Sequence, residues 1–363
     1  MTRRNARVIA FYLPQFHPIP ENDAWWSPGF TEWTNAARAR PLFRGHYQPH
    51  MPADLGFYDL RLPETRAQQA ELAARYGVEG FCYYHYWFGG RELLQRPLDE
   101  VLLSGEPDFP FCVCWANESW TGIWHGEPRR ILMEQTYPPG DDERHFERLL
   151  PFFRDRRYLK VNDLPLMVVY KPLELPDPKQ FCRRWKAMAR DAGLDGLYLV
   201  GVKHNDRFLP EPAGFDAAIL QKLAPKTGTV PWRYAALKIK SKLHRCRLTI
   251  LDYKKVHLQS IRTESTSYKE FPCIIPNWDN TPRSGLNGLV LHGSTPELFR
   301  AQVKKAVAKV QRDLQGEEQI IFLKSWNEWA EGNHVEPDLK WGHAYLQVLA
   351  EELNSTPPEP HHD

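Results

Sequence analysis

The chain has 363 residues, 42% of them hydrophobic, and a formal net charge of +2 from 47 basic and 45 acidic side chains. That is enough apolar material for a large core, and so even a charge balance excludes a chain-wide electrostatic match to nucleic acid or another polyanion. Six cysteines in a chain this long do not make a disulfide framework, whereas 13 tryptophans are unusual and fit a site where indoles stack on flat sugar faces.

Residues 8–13 predict a strand closed by Pro14. The run behind Arg3, Arg4 and Arg7 is too short for a secretory segment, and no later run is long enough to span a bilayer. The expectation is therefore a soluble cytoplasmic protein with no integral membrane segment. A long loop follows through Trp25, Trp26, Glu32, Trp33, His46, Tyr47 and His50, and loops of that length inside compact domains tend to be functional when they are ordered. Asp54 reads as a turn residue or an orienting acid. Residues 63–76 predict a helix stopped by Gly77.

The pattern then repeats. Strands are predicted over 78–84, ending in Tyr84-His85-Tyr86-Trp87, and over 109–115, ending in Trp115-Ala116-Asn117-Glu118. Others cover 165–170, before Lys171, then 197–202, 215–220 and 271–275, the last ending in Asn277-Trp278-Asp279-Asn280 with Arg283 close behind. The eighth is 320–323. Helices are predicted over 178–192, 296–314 and 343–353. Eight apolar strands with helices between them, and polar and aromatic residues crowded just after each strand, indicate an α/β fold. The form expected is a (β/α)8 TIM barrel, a single domain over residues 1–354 with long βα loops. A doubly wound sheet would want a Gly-rich phosphate turn where this chain has Leu13-Pro14-Gln15.

One insertion, at about 222–270, breaks the composition. Its 222–255 segment is strongly basic and reads as a solvated excursion or as a patch for peripheral contact with an anionic glycan, a lipid diphosphate or a membrane surface. No nucleic-acid-binding motif accompanies it, so no nucleic-acid partner is expected. The Pro-rich tail, 355–363, is expected to be disordered.

The chemistry concentrates where the eighth strand runs into Trp326-Asn327-Glu328-Trp329-Ala330-Glu331-Gly332. Glycosidic cleavage needs a proton donor at the leaving oxygen and a second carboxylate, and two close acids raise one another's proton affinity. Glu328 and Glu331 are the candidate catalytic pair, with Trp326 and Trp329 excluding water. The competing reading is a helix N-terminus that favours acids through its dipole. Glu118 and Asp279 are candidate sugar-hydroxyl contacts, and His85, Asn117, Lys171 and Arg283 candidate hydroxyl or anion ligands. There is no Gly-x-Ser-x-Gly elbow or His-Glu-x-x-His pair, and Cys112-Val113-Cys114 lacks metal-ligand spacing. Neither a metal nor a cofactor is expected.

Longer motifs then carry a resemblance. They are Phe11-Tyr12-Leu13-Pro14-Gln15-Phe16-His17, Thr31-Glu32-Trp33-Thr34-Asn35 and Gly45-His46-Tyr47-Gln48-Pro49-His50. Further on come Tyr83-Tyr84-His85-Tyr86-Trp87-Phe88, Cys114-Trp115-Ala116-Asn117-Glu118, Trp278-Asp279-Asn280-Thr281-Pro282-Arg283, and Trp326 to Gly332 with Glu336-Pro337-Asp338. Over nearly its whole length the chain resembles the WbsX-type proteins of bacterial polysaccharide loci, which are similar to glycoside hydrolase family 99. The resemblance implies a (β/α)8 retaining hydrolase of an α-linked glycan. In it Glu328 helps the sugar's own 2-hydroxyl attack the anomeric carbon, and Glu331 protonates the leaving oxygen and then activates water. Tyr12, His17, Trp33, Asp54, Tyr84, Trp87, Trp115, Trp278, Trp326 and Asn327 complete the expected substrate-binding residues. The expected partner is a carbohydrate, either a polysaccharide or a lipid-linked glycan. Glycosyl transfer by the same pair is the alternative, and a non-catalytic glycan-binding barrel a further one. Trp124-His125-Gly126 stands where the hydrolases would carry Trp-Asp-Gly, a difference that bears on substrate identity.

Overall fold

The computed structural model describes residues 5–122, 127–223 and 248–354. The basic stretch 224–247, the Trp124-His125-Gly126 segment and the tail 355–363 lie outside the described residues.

Strands β1 (Arg7–Tyr12), β2 (Gly80–Phe88), β3 (Phe111–Trp115), β4 (Leu164–Val169), β5 (Tyr198–Lys203), β6 (Ala217–Leu220), β7 (Glu270–Ile274) and β8 (Ile320–Leu323) each pair in parallel with the next. The sheet closes because β1 pairs in parallel with both β8 (Val8 opposite Ile321) and β2 (Phe11 opposite Cys82). This is the expected (β/α)8 barrel. Around it lie α1 (Pro20–Trp25), α2 (Glu32–Arg38), α3 (Pro63–Arg75), α4 (Arg96–Ser104), α5 (Asp141–Phe153), α6 (Pro178–Asp191), α7 (Pro296–Asp313) and α8 (Ala344–Asn354). The starts of α6 and α7 follow from local chemistry. Asp177 and Thr295 cap exposed N–H groups of the first turn, and a proline with preset φ follows each.

The two-residue period of the strands decides which side chains meet. Inside the barrel the Phe11 ring stacks on Tyr84 and meets Phe322, each at 5.5 Å between centroids. The neighbouring positions face outward. Tyr12 packs on Phe81 and Tyr83 and donates its hydroxyl to Gln69 of α3. The thiols Cys82, Cys112, Cys114 and Cys273 are fully buried in these strands, as small apolar fillers.

Three features go beyond the sequence reading. Strand β2 runs on to Phe88, so Tyr84 to Phe88 is strand and not loop. Helices α4 and α5 occupy stretches with no predicted element, and each tolerates a proline, Pro97 in the first turn of one and Pro151 near the end of the other. Finally, Thr249–Asp252 pairs in parallel with Leu289–His292 in a two-stranded ribbon outside the barrel, and Ile250 and Val290 pack there against Leu42 and Phe43. No helix among the described residues is long and apolar enough to cross a membrane.

Candidate active site

At the carboxyl end of the barrel, the loops enclose a cleft of about 360 Å³. Its floor is built by β8 and the segment after it. Continuing the inward register of Phe322, Lys324 enters the barrel mouth, donating from Nζ to Glu328 Oε2 (2.7 Å) and to the Tyr84 hydroxyl (2.9 Å). Ser325 Oγ donates to the Asn333 carbonyl and accepts from the Glu328 N–H, pinning the backbone on which that carboxylate sits. Residues Trp329–Glu331 form one tight 3₁₀ turn, which Gly332 ends at φ +56°. A side chain at Gly332 would be strained there, and its Cβ would lie 3.0 Å from that of Asp279. The turn returns Glu331 to the cleft beside Glu328, and the two carboxyl groups share a hydrogen bond.

Charges around the pair make it asymmetric. Burial alone would raise Glu328, but Lys324, the hydrogen bond from Glu331 and Arg283 outweigh it and hold the group below the usual carboxylate range. Glu331 is pushed up to about 8, chiefly by burial, with Arg283 opposing and Glu328 reinforcing. At neutral pH one carboxylate beside one carboxylic acid is the favoured state. Arg283 donates from Nη1 to Glu331 Oε1 (2.6 Å) and from Nη2 to Glu32 Oε1 (2.5 Å). Glu32 is fully buried at the start of α2 and also accepts the Ala330 N–H, so it ties the turn to that helix.

Of the residues expected from sequence, the structure brings Tyr84, Glu118, Trp278, Arg283, Glu328 and Glu331 to the cleft. Lys171 stands behind Glu118, its Nζ 3.5 Å from the carboxylate. The others lie elsewhere, for reasons of register or prior commitment. Tyr12 faces α3, as described. His85 and Trp87 alternate with Tyr84 and Tyr86, so they point outward to His145 (2.9 Å) and Asp141 (3.0 Å). Trp115 is buried against Phe181 and donates to the Trp87 carbonyl. Asn117 uses its whole amide to clasp the Lys171 backbone and the Tyr137 hydroxyl. Trp33 packs on Phe16 and Trp329 and donates to the Tyr58 carbonyl.

Asn327 staples both backbone groups of Leu13, which joins the ends of β1 and β8. Trp326 is buried on Phe81 beneath the turn. Asp279 is not a sugar contact in this geometry, because its carboxylate is taken by His46 (2.6 Å), Gln48 (2.8 Å) and both groups of Thr281. His17 is buried beside Asp59, and Asp54 pairs with His343 near the surface.

The cleft also holds residues the sequence reading passed over. Lys324 sits on the floor, while Gln15, Trp26, Tyr86, Trp120 and Tyr170 form walls. Strand alternation alone placed Lys324 and Tyr86 inside. Behind the turn, Glu336 accepts from Trp329 Nε1 (2.7 Å), the Tyr58 hydroxyl (2.8 Å) and Gln69 (2.6 Å), so the indole between the two glutamates is locked by its polar edge.

Similarity to known proteins agrees with this architecture. Two curated relatives from Xanthomonas campestris pv. campestris, both described as uncharacterized protein WxcX, are 39% identical over 355 residues, which is 97% of this chain and 50% of each relative. The chain thus spans about half the length of the curated relatives it matches. Among solved structures, a glycoside hydrolase-like protein superposes with a TM-score of 0.57 at 16% identity, covering 98% of this chain and 96% of that one. The family 99 endo-α-mannosidase of Bacteroides thetaiotaomicron, in complex with bis-tris-propane, gives 0.56 at 16% identity with 96% of each chain covered. These likenesses speak to the fold. Residues 8–349 match the glycosyltransferase WbsX family, and the chain belongs to that family.

Proposed function

We propose that the protein is a glycoside hydrolase that cleaves an α-linkage, mannoside-like or to a deoxysugar, in a bacterial surface polysaccharide or its precursor. The observation that carries this reading is the placement of two glutamates side by side on the floor of an aromatic cleft, one paired with Lys324 and the other with Arg283. Glu328, kept ionised by Lys324, takes the proton of the sugar 2-hydroxyl while that oxygen bonds to the anomeric carbon. Glu331, still protonated, gives its proton to the departing oxygen as the glycosidic bond breaks. In the second half Glu331 takes a proton from water, which opens the anhydro ring at the anomeric carbon, and Glu328 returns its proton to O2. Trp26, Trp120 and Trp278 supply flat apolar faces to the sugar, and Glu118 a hydroxyl contact.

A second reading, glycosyl transfer, is favoured by the name of the matching family. It uses the same pair, with an acceptor hydroxyl in place of water. A screen of the purified protein on mannose- and deoxysugar-containing polysaccharides, beside nucleotide-sugar donors, separates the two. Released reducing ends support hydrolysis, whereas transfer from a donor with no cleavage of any glycan would overturn it.

The pH dependence follows from the same charges. The profile of kcat/KM should be bell-shaped, falling at alkaline pH around 8 as Glu331 loses its proton and at acid pH below the usual carboxylate range as Glu328 gains one. Lys324→Met removes the cation that holds Glu328 down. The acid limb should move to higher pH, with about tenfold less rate below it for each unit moved. An unmoved acid limb would remove Lys324 from the mechanism.

A further inference from the structure

Behind the catalytic turn lies a second cavity, of about 120 Å³, that the reaction does not use. It is lined by residues of the Gly45 to His50 motif and of the stretch from Gly332 to Asp338 that follows the glutamate pair. We propose that His50, His334 and Asp338 form a binding site for a divalent transition-metal ion, with zinc the best match to the donor set. This runs against the sequence expectation, which weighed cysteine spacing and did not bring these three residues together.

The geometry carries the proposal. All three side chains are buried, and their donor atoms lie within 4.8 Å of one another. The two imidazole nitrogens, His50 Nδ1 and His334 Nε2, are 2.9 Å apart. Ligands about 2.1 Å from a tetrahedral ion lie roughly 3.4 Å from each other, between those two figures. Each ligand is also held by a supporting group, as in metal sites where outer contacts orient the first ligands. His334 Nδ1 lies 3.0 Å from the Glu336 carbonyl, an oxygen that only accepts, so that nitrogen carries the proton and Nε2 presents its lone pair. Asp338 Oδ1 accepts the backbone N–H groups of Lys340 and Trp341. Its Oδ2 takes the Tyr47 hydroxyl at 3.0 Å and keeps a further lone pair. The Tyr47 ring in turn stacks on His50, 4.2 Å between centroids.

Two imidazoles and one carboxylate are borderline donors that suit zinc and its neighbours better than calcium or magnesium. Three protein ligands leave a fourth position for water. His334 stacks on Trp329 at 3.7 Å, so an ion there braces the Glu328–Glu331 turn from behind and takes no part in proton transfer.

The test is a titration of the full chain, carrying H361A and H362A to remove the tail histidines, stripped with chelator and then titrated with Zn²⁺ against a chromophoric competitor. Co²⁺ gives the ligand field. The expected result is one equivalent per chain with the visible bands of a four- or five-coordinate ion. His50→Ala and Asp338→Asn should each weaken binding by more than about 100-fold, and Tyr47→Phe by about 10- to 100-fold, with unchanged circular dichroism. Tyr47→Phe serves where the ligand variants fail to fold. No stoichiometric binding, or equal affinity in the variants, would overturn the site and leave the three residues as a hydrogen-bonded brace.

Discussion

Replacing Glu331 by Gln should slow glycan cleavage by about 10²- to 10⁴-fold, the usual worth of a general acid, and should also make the protein more stable at neutral pH. Both effects have one cause. The folded state holds the Glu331 proton up to about pH 8, against a reference value of 4.5. Between those values the unfolded chain has released a proton that the folded chain still binds, so unfolding gains as pH rises. The stability is intact below about 4.5 and is lost progressively toward 8, by pH 7 roughly 3 kcal/mol. Glutamine cannot ionise and escapes this loss, while its carbonyl still accepts from Arg283. The melting temperatures of the two proteins should therefore nearly coincide at pH 4 and separate by pH 7.5, with the variant higher. A substrate with an acidic phenol as leaving group needs no proton, and on it the rate loss should shrink. A variant less stable than the parent at pH 7.5, with equal rate loss on both substrates, would rule out Glu331 as the general acid.

Much of the architecture was legible because the barrel strands are apolar runs with clear ends. Ile320–Leu323 was bounded by sequence alone, and the other barrel strands were found within a few residues. The place of the two glutamates at the barrel mouth was legible for the same reason, since they follow directly on the eighth strand. The walls of the site were harder to read. A position just after a strand does not say which way a side chain points, because β2 stays extended through Phe88 and sends only alternate side chains inward. Tyr84 and Tyr86 line the cleft, while His85 and Trp87, identical in chemical promise, face α5. Lys324 was open to the same logic, two residues after the inward Phe322. Asp279 and Asn327 show a different limit. Each is polar and next to the site, yet each has its hydrogen-bonding capacity filled by partners distant in sequence (His46 and Gln48, Leu13 and Tyr58), and only the folded chain brings those together.

Arg283→Ala should be the most destabilising single change in the site, costing about 3–5 kcal/mol in urea unfolding at pH 7. The guanidinium is shared between Glu331 and Glu32, and Glu32 is fully buried, with one backbone N–H as its other donor. Burial already raises Glu32 against the pull of Arg283. Without the arginine, that carboxylate must stay charged and unpaired or take up a proton, and either way the fold loses stability. The penalty belongs to the stranded acid more than to the lost contact, so it should be largely reversible. Arg283→Met with Glu32→Gln should recover most of what either single change costs, with a coupling energy well above 1 kcal/mol in the double-mutant cycle. Activity should respond differently. Arg283 also lowers Glu331, so its loss pushes that acid further up, and the alkaline limb of the pH profile should move to higher pH in whatever folded enzyme remains. A cost below about 1 kcal/mol for Arg283→Ala, or additive effects in the double variant, would mean that water replaces the guanidinium and that the turn is held by Trp329 and its lock on Glu336 instead.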